Sequence, residues 1–265
     1  MNRSWAIVGF ALAVPLFAQW SQPTTGVPRT PDGKPNLLAP APRLTDGKPD
    51  FSGTWDVDHN QPCPPGGCPD FYSPQEFSNI AWGVKGGLPY QPWARDLSKK
   101  RTTELRKDDP LSHCLPIGIV EMHTIPLFRK VIHVPGLLAI MHEYNTSFRQ
   151  IFTDGRPLPE DPMPTWSGYS TAKWEGDTLV VHTEGFRDGI WLDVLGNPVT
   201  DAAKITERIS RPNFGRLEID LTIDDPKAYT KPWSLHLNQN IQLDTDLLDY
   251  VCLENEKDLD HLVVK

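Results

Sequence analysis

From residue 127 onward the chain alternates apolar and polar positions in short runs broken by turn residues, the period of half-buried β-strands. Leu127–His133 and Leu137–Phe152 flank Val134-Pro135-Gly136. Gly168–Glu175 and Thr178–Phe186 meet at Gly176-Asp177, a tight-hairpin signal. Ile205–Arg211 and Leu217–Ile223 flank Asn213-Phe214-Gly215, and Ser234–Gln242 is a further strand. An earlier strand begins around Asp50–Trp55. Residues 60–115 are irregular, with a short helix predicted at Ser73–Ala81 and a basic stretch, Lys99–Lys107, that reads as a solvated helix face. Asp244–Leu262, rich in Asp, Glu and Leu, predicts a C-terminal helix. Successive hairpins argue an antiparallel meander of about eight strands that closes into a barrel to remove its edges.

The N-terminus is of a different kind. Arg3 followed by the apolar run Trp5–Phe17 and a small residue at Ala18 reads as a secretory signal over residues 1–18, too short to span a bilayer. Residues 19–50 form a Pro-rich leader with a small repeat, Thr30–Asn36 and Leu44–Asp50, both built on Asp-Gly-Lys-Pro turn chemistry. The leader is read as extended, either draped over the domain or a plain linker. Thr153–Pro157 nearly repeats the motif. Residues 51–265 are then one β-rich domain.

Composition agrees with this picture. The 265 residues carry 27 prolines, which a mostly helical protein would hardly tolerate. The net charge of -8 argues against nucleic acid or an anionic membrane surface as the main partner. Export predicts a periplasmic or secreted location, and four cysteines in such a protein favour disulfides. Cys63 and Cys68 bracket a tight Pro-Pro-Gly-Gly loop, and Cys114 and Cys252 would then pair over a long span. The rival for Cys63 and Cys68 is half of a zinc site, which no second close Cys or His pair accompanies.

Gly53-Thr54-Trp55 on the first strand resembles the Gly-x-Trp start of lipocalin-like barrels. That resemblance implies a Trp plugging the closed end with a late Arg packed over it, a part for Arg208 or Arg211. A broader resemblance rests on residues 46–55, 108–114, 149–156, 174–181, 206–208, 222–226, 229–233 and 250–252. These motifs are similar to those of a large family of exported bacterial proteins known as uncharacterised hypothetical proteins. Membership implies export and a single β-rich domain and supplies no reaction. Cys114 and Cys252 lie inside the shared motifs, in keeping with their pairing; Cys63 and Cys68 lie outside them.

Several chemistries lack their signatures. His113, His123, His133, His142 and His182 show no close pair of metal-ligand spacing, so no metal is expected. Ser167–Ser170 is not a nucleophile elbow, and no phosphate cradle or dinucleotide fingerprint occurs, so no cofactor is expected. What remains is a polar cluster on the strands: Glu143, Arg149, Asp154, Tyr169, Asp193, Glu207 and Arg208 among Trp166, Trp174 and Trp191. An inward Arg149 or Arg208 needs a carboxylate, for which Glu143 or Asp193 would serve. The expected function is binding of a small, partly aromatic or lipid-like molecule in the barrel cavity, with Trp166, Tyr169, Trp174, Trp191 and Arg208 as ligand-binding residues. The alternatives are a cofactor-independent lyase, isomerase or hydrolase using Glu143, Arg149 and Asp193 as catalytic residues, or a structural envelope protein.

Overall fold

A computed structural model describes residues 26–58, 75–145, 147–252 and 254. The signal segment and the Cys63–Cys68 loop lie outside the described residues. The strands are β1 (Gly53–Val57), β2 (Arg129–Val134), β3 (Leu137–His142), β4 (Phe148–Phe152), β5 (Tyr169–Glu175), β6 (Thr178–Glu184), β7 (Ile190–Trp191), β8 (Pro198–Val199), β9 (Lys204–Asn213), β10 (Arg216–Asp224) and β11 (Trp233–Gln242). The helices are α1 (Gln75–Ser78), α2 (Pro92–Thr103) and α3 (Ile119–Thr124), with 3-10 turns at Ile80–Gly83 and Pro110–His113.

Nine strands close into a barrel in the order β1-β11-β10-β9-β6-β5-β4-β3-β2, and β7 and β8 form a separate ribbon. The expected barrel is therefore present, with one strand more than the eight expected. The extra strand arises because Leu137–Phe152 is not continuous: the chain leaves β3 at Glu143–Asn145, and Ser147 N donates to Tyr144 O at 3.0 Å before β4 begins. An odd ring cannot be antiparallel throughout. The parallel pair falls at β4 and β5, where Ile151 faces Ser170 and Phe152 faces Thr171. The Pro-rich segment 153–168 carries the chain back along the barrel, so β5 starts at the end where β4 started.

The barrel's two ends differ. At the lower end, Trp55 is fully buried, its indole N–H donates to the Phe51 carbonyl at 3.0 Å, and the Arg211 guanidinium lies 4.8 Å over its ring. Arg211 also donates to the carbonyls of Asp50, Ser52 and Phe214. The late arginine is thus Arg211, because Arg208 points outward and pairs with Glu175 at 2.8 Å. Gly53 has φ +147°, a conformation that disfavours any side chain, and a Cβ there would press on Trp55 and Ile241 at 3.3 Å.

At the upper end, α3 enters the barrel as a plug with all six residues buried. The chain from β6 to β9 folds over it, and Asp193 organises that cover. Its carboxylate accepts from Ile80 N and Asn197 Nδ2, both at 2.7 Å, and from Asn197 N at 3.2 Å. Asn197 Oδ1 in turn accepts from the Tyr90 hydroxyl at 2.6 Å. Cys114 and Cys252 form a disulfide across 138 residues, as expected, and tie the segment that leads into α3 to the chain's last described segment. That segment is not a helix over residues 244–252 or at 254; the rest of the expected helix lies outside the described residues. Its backbone is held along the barrel instead. Lys130 grips Asp246 at 2.6 Å, Leu248 N donates to Glu143 Oε1 at 3.0 Å, and Tyr250 bridges to Tyr144. Among the described residues no helix is long and apolar enough to cross a membrane.

Candidate functional site

Strand alternation decides which polar groups enter the barrel. Arg149 and Ile151 on β4, Ser170 and Ala172 on β5, Thr183 on β6, Glu207 and Ile209 on β9 and Gln239 on β11 are buried, and their strand neighbours, the buried Thr171 apart, are exposed or half-buried. Arg149 therefore does point inward, and its carboxylate is Glu207, neither Glu143 nor Asp193. The guanidinium donates through Nη1 to Glu207 Oε1 at 2.9 Å and through Nη2 to Oε2. It also donates to Ser170 Oγ at 3.0 Å and Thr183 Oγ1 at 2.9 Å. His123, carried by α3, completes the cluster with Nε2 at 2.7 Å from Glu207 Oε1.

The electrostatics follow from this packing. Burial by itself would raise the Glu207 carboxyl. The Arg149 charge and the hydrogen bonds from His123 and Arg149 outweigh it and hold Glu207 well below the usual carboxylate range. Burial lowers His123, although Glu207 pulls the other way. A neutral His123 beside an ionised Glu207 carries its proton on Nε2, which leaves Nδ1 as an acceptor. His142 is pushed down to about 3 by burial and by the positive charge of Arg129.

Arg129 is the second buried guanidinium. It donates to the carbonyls of Met122 at 3.1 Å and His123 at 3.4 Å, and burial lowers it to about 9. Arg129 Nη2, His123 Nδ1 and Gln239 Oε1 have no protein partner, and their residues line an interior cavity of about 10 Å³. That is room for about one water, and one donor facing two acceptors suits a water's hydrogen-bonding capacity. The interior is packed by Val131, Leu138, Ile140, Ile209, Leu217 and Ile219 around it.

A much larger open volume lies elsewhere. A groove of about 610 Å³ lies at the lower end, on the side of β11, β1 and β2. The leader forms one wall with Val27, Pro42 and Asp50; Arg211 and Phe214 from the β9–β10 hairpin form another. The segment Gln242–Asp246 closes the third side, and Thr54 and Lys130 form the floor. Cations (Lys130, Arg211) and carboxylates (Asp50, Asp244, Asp246) therefore alternate with apolar side chains. Burial lowers Arg211 to about 10, so it remains a cation at neutral pH.

The residues expected to form one site are dispersed. Glu143 is tied to the backbone N–H groups of Phe128 at 3.2 Å and Leu248 at 3.0 Å. Asp193 lies in the upper cover, where burial raises it to about 6. Trp191 is buried in that cover with Arg101 at 4.6 Å over its ring. Trp166 sits under Arg187 at 4.6 Å, and Tyr169 packs on Phe152 at 5.3 Å. Trp174 stacks with His133 at 6.0 Å and is roofed by Lys48 of the leader at 5.5 Å. None of these residues lines the groove. Arg129 and Gln239 were not singled out from the sequence; an inward Arg on β2 and an inward Gln on β11, with β1 between them, come together only once sheet order is known. His123 drew notice as a histidine, not as a partner of Glu207. Among the described residues there is no cluster of His, Cys, Asp or Glu able to hold a metal ion. The chain matches no protein-family model, and a search of curated proteins returns no significant match.

Proposed function

We propose that this chain is an exported, lipocalin-like barrel protein that binds a small amphipathic molecule, and that the ligand sits in the lower-end groove and not in the barrel core. The observation that carries this reading is the contrast in room. The core offers about 10 Å³ and the groove about 610 Å³, within the range of roughly 300–1,000 Å³ usual for small-molecule sites. Export is supported by the N-terminal signal pattern and by the Cys114–Cys252 disulfide. The lipocalin-like reading is supported by Gly53-Thr54-Trp55 with Arg211 over the indole. A ligand with an apolar body and one ionised or strongly polar end matches Val27, Pro42, Phe214 and Leu243 beside Lys130 and Arg211. Catalysis by Glu143, Arg149 and Asp193 is the weaker reading, because each of the three is committed to a different structural partner.

Native mass spectrometry of the exported protein tests this reading. The expected result is a bound small molecule, or uptake of an anionic amphiphile such as dodecanoate, that disappears in a Gln242→Trp variant whose indole fills the groove. Equal uptake by the variant would overturn it.

A further inference from the structure

The leader contains the same device twice. Residues 28–36 and 42–50 share Pro, Arg, Asp, Gly, Lys and Pro at an offset of 14 positions. They fold alike. Thr30 N donates to Lys34 O at 2.9 Å, and Leu44 N to Lys48 O at 2.8 Å. Asn36 N donates to Pro28 O at 2.8 Å, and Asp50 N to Pro42 O at 2.8 Å. In both, the arginine Nη1 donates back to the turn glycine carbonyl, Arg29 to Gly33 at 2.7 Å and Arg43 to Gly47 at 2.8 Å. That bond aims each guanidinium along the same side of its turn.

Among the described residues, only the second copy has something to hold. Arg43 makes a two-pronged contact with the Asp177 carboxylate at 2.9 and 2.6 Å. Lys48 reaches the Gly176 carbonyl at 3.3 Å and lies over Trp174. The second copy thus reads one feature: a tight hairpin turn with an aspartate at its tip, a free carbonyl beside it and an aromatic ring below. In the first copy, Arg29 is exposed and, among the described residues, contacts only its own turn, and Lys34 is exposed and meets only Asp32 at 3.0 Å. Just beyond it, Leu37 and Ala39 clip to the β9–β10 hairpin through Gly215 N and Phe214 N, both at 2.8 Å, which fixes the position from which it projects.

We infer that residues 28–36 are a second docking head, and that it takes an aspartate-bearing β-hairpin turn of another protein in the manner that residues 42–50 take Gly176-Asp177. The chain's own aspartate turn is already occupied, so the spare head is directed outward. Its two cations suit an acidic partner turn, and a bidentate Arg–carboxylate contact gives geometric selectivity as well as attraction. This inference stands apart from the groove and from whatever binds there.

The test uses full-length chains only. The probe is an unlabelled Arg29→Glu/Arg43→Glu double variant, which has no working head and whose Asp177 turn is repelled by its own leader. It is added to isotope-labelled wild type and followed by amide chemical shifts. Saturable shifts confined to residues 28–36 are expected. They should weaken by at least about tenfold when the probe also carries Asp177→Asn, as loss of one charge-assisted contact predicts. They should vanish when the labelled chain is Arg29→Glu. Absence of shifts at 28–36, or equal affinity for the Asp177→Asn probe, would overturn the inference.

Discussion

The two ends of this barrel dispose of their charge in opposite ways. At the upper end, Arg149 and Glu207 are both about 2% exposed or less, and every donor of Arg149 that faces the core meets an oxygen. At the lower end, Lys130, Arg211, Asp50 and Asp244 border an open groove. A buried ion pair is retained only when its geometry repays desolvation, and once formed it leaves nothing for a ligand. Lys130 and Arg211 also have partners, Asp246 and three backbone carbonyls, but they lie beside an open volume that a ligand can enter. The difference shows why a dense cluster of acid, base and arginine is a poor guide to a site by itself: the cluster's own saturation has to be checked first.

That contrast can be broken most forcefully from above. Arg149→Met leaves Glu207 buried with only His123 beside it and should cost about 3–5 kcal/mol of unfolding free energy by denaturant titration. An Arg149→Met/Glu207→Leu double variant should regain much of that loss, as for a purely structural pair. If the single variant unfolds at the wild-type denaturant midpoint, the upper cluster is not a structural tie. The disulfide comes next. Cys114→Ser/Cys252→Ser releases the segment leading into α3 from the last described segment and should cost about 2–4 kcal/mol, less than the chain-entropy figure of about 5 kcal/mol for so long a loop. Gln242→Trp at the lower end should stay within about 0.5 kcal/mol of wild type, as a surface change away from caps and core.

The acid limb is read as a slope, in which raised and lowered groups oppose one another. His142 stays neutral in the fold down to about pH 3 but takes up a proton near pH 6.5 when unfolded. The unfolded state then binds more protons, so stability falls as pH drops from 6.5 to 3, by about 1.4 kcal/mol per unit from this group. Asp193 opposes this between about pH 4 and 6, because its raised carboxyl takes up a proton in the fold first. Glu207, held low, contributes stability that is present above its unfolded value and lost as pH falls through the folded one. A His142→Gln variant should show a shallower loss between pH 6.5 and 3, read from unfolding free energies at each pH; an unchanged slope would remove His142 from the account.

Much of the fold was legible in the sequence because strand period and turn chemistry are local. Gly176-Asp177 and Asn213-Phe214-Gly215 sit at the hairpins they announced. The plug at Ile119–Thr124 was not legible. Its residues are buried on every side, so no amphipathic stripe marks the helix. The partner of Arg149 was not legible either. Glu207 is 58 residues away on β9, two strands beyond β5, and becomes its neighbour only through barrel closure. Arg211 over Trp55 was within reach as one of two named arginines, and strand alternation relative to Glu207 selects it.

The most direct test of where the ligand goes is amide chemical-shift mapping of the full chain titrated with dodecanoate. The account predicts shifts at Thr54, Lys130, Phe214 and Gln242–Asp246, with His123, Ser170, Thr183 and Glu207 unmoved. Shifts centred on His123, Ser170 and Glu207 would contradict it and place the site inside the barrel.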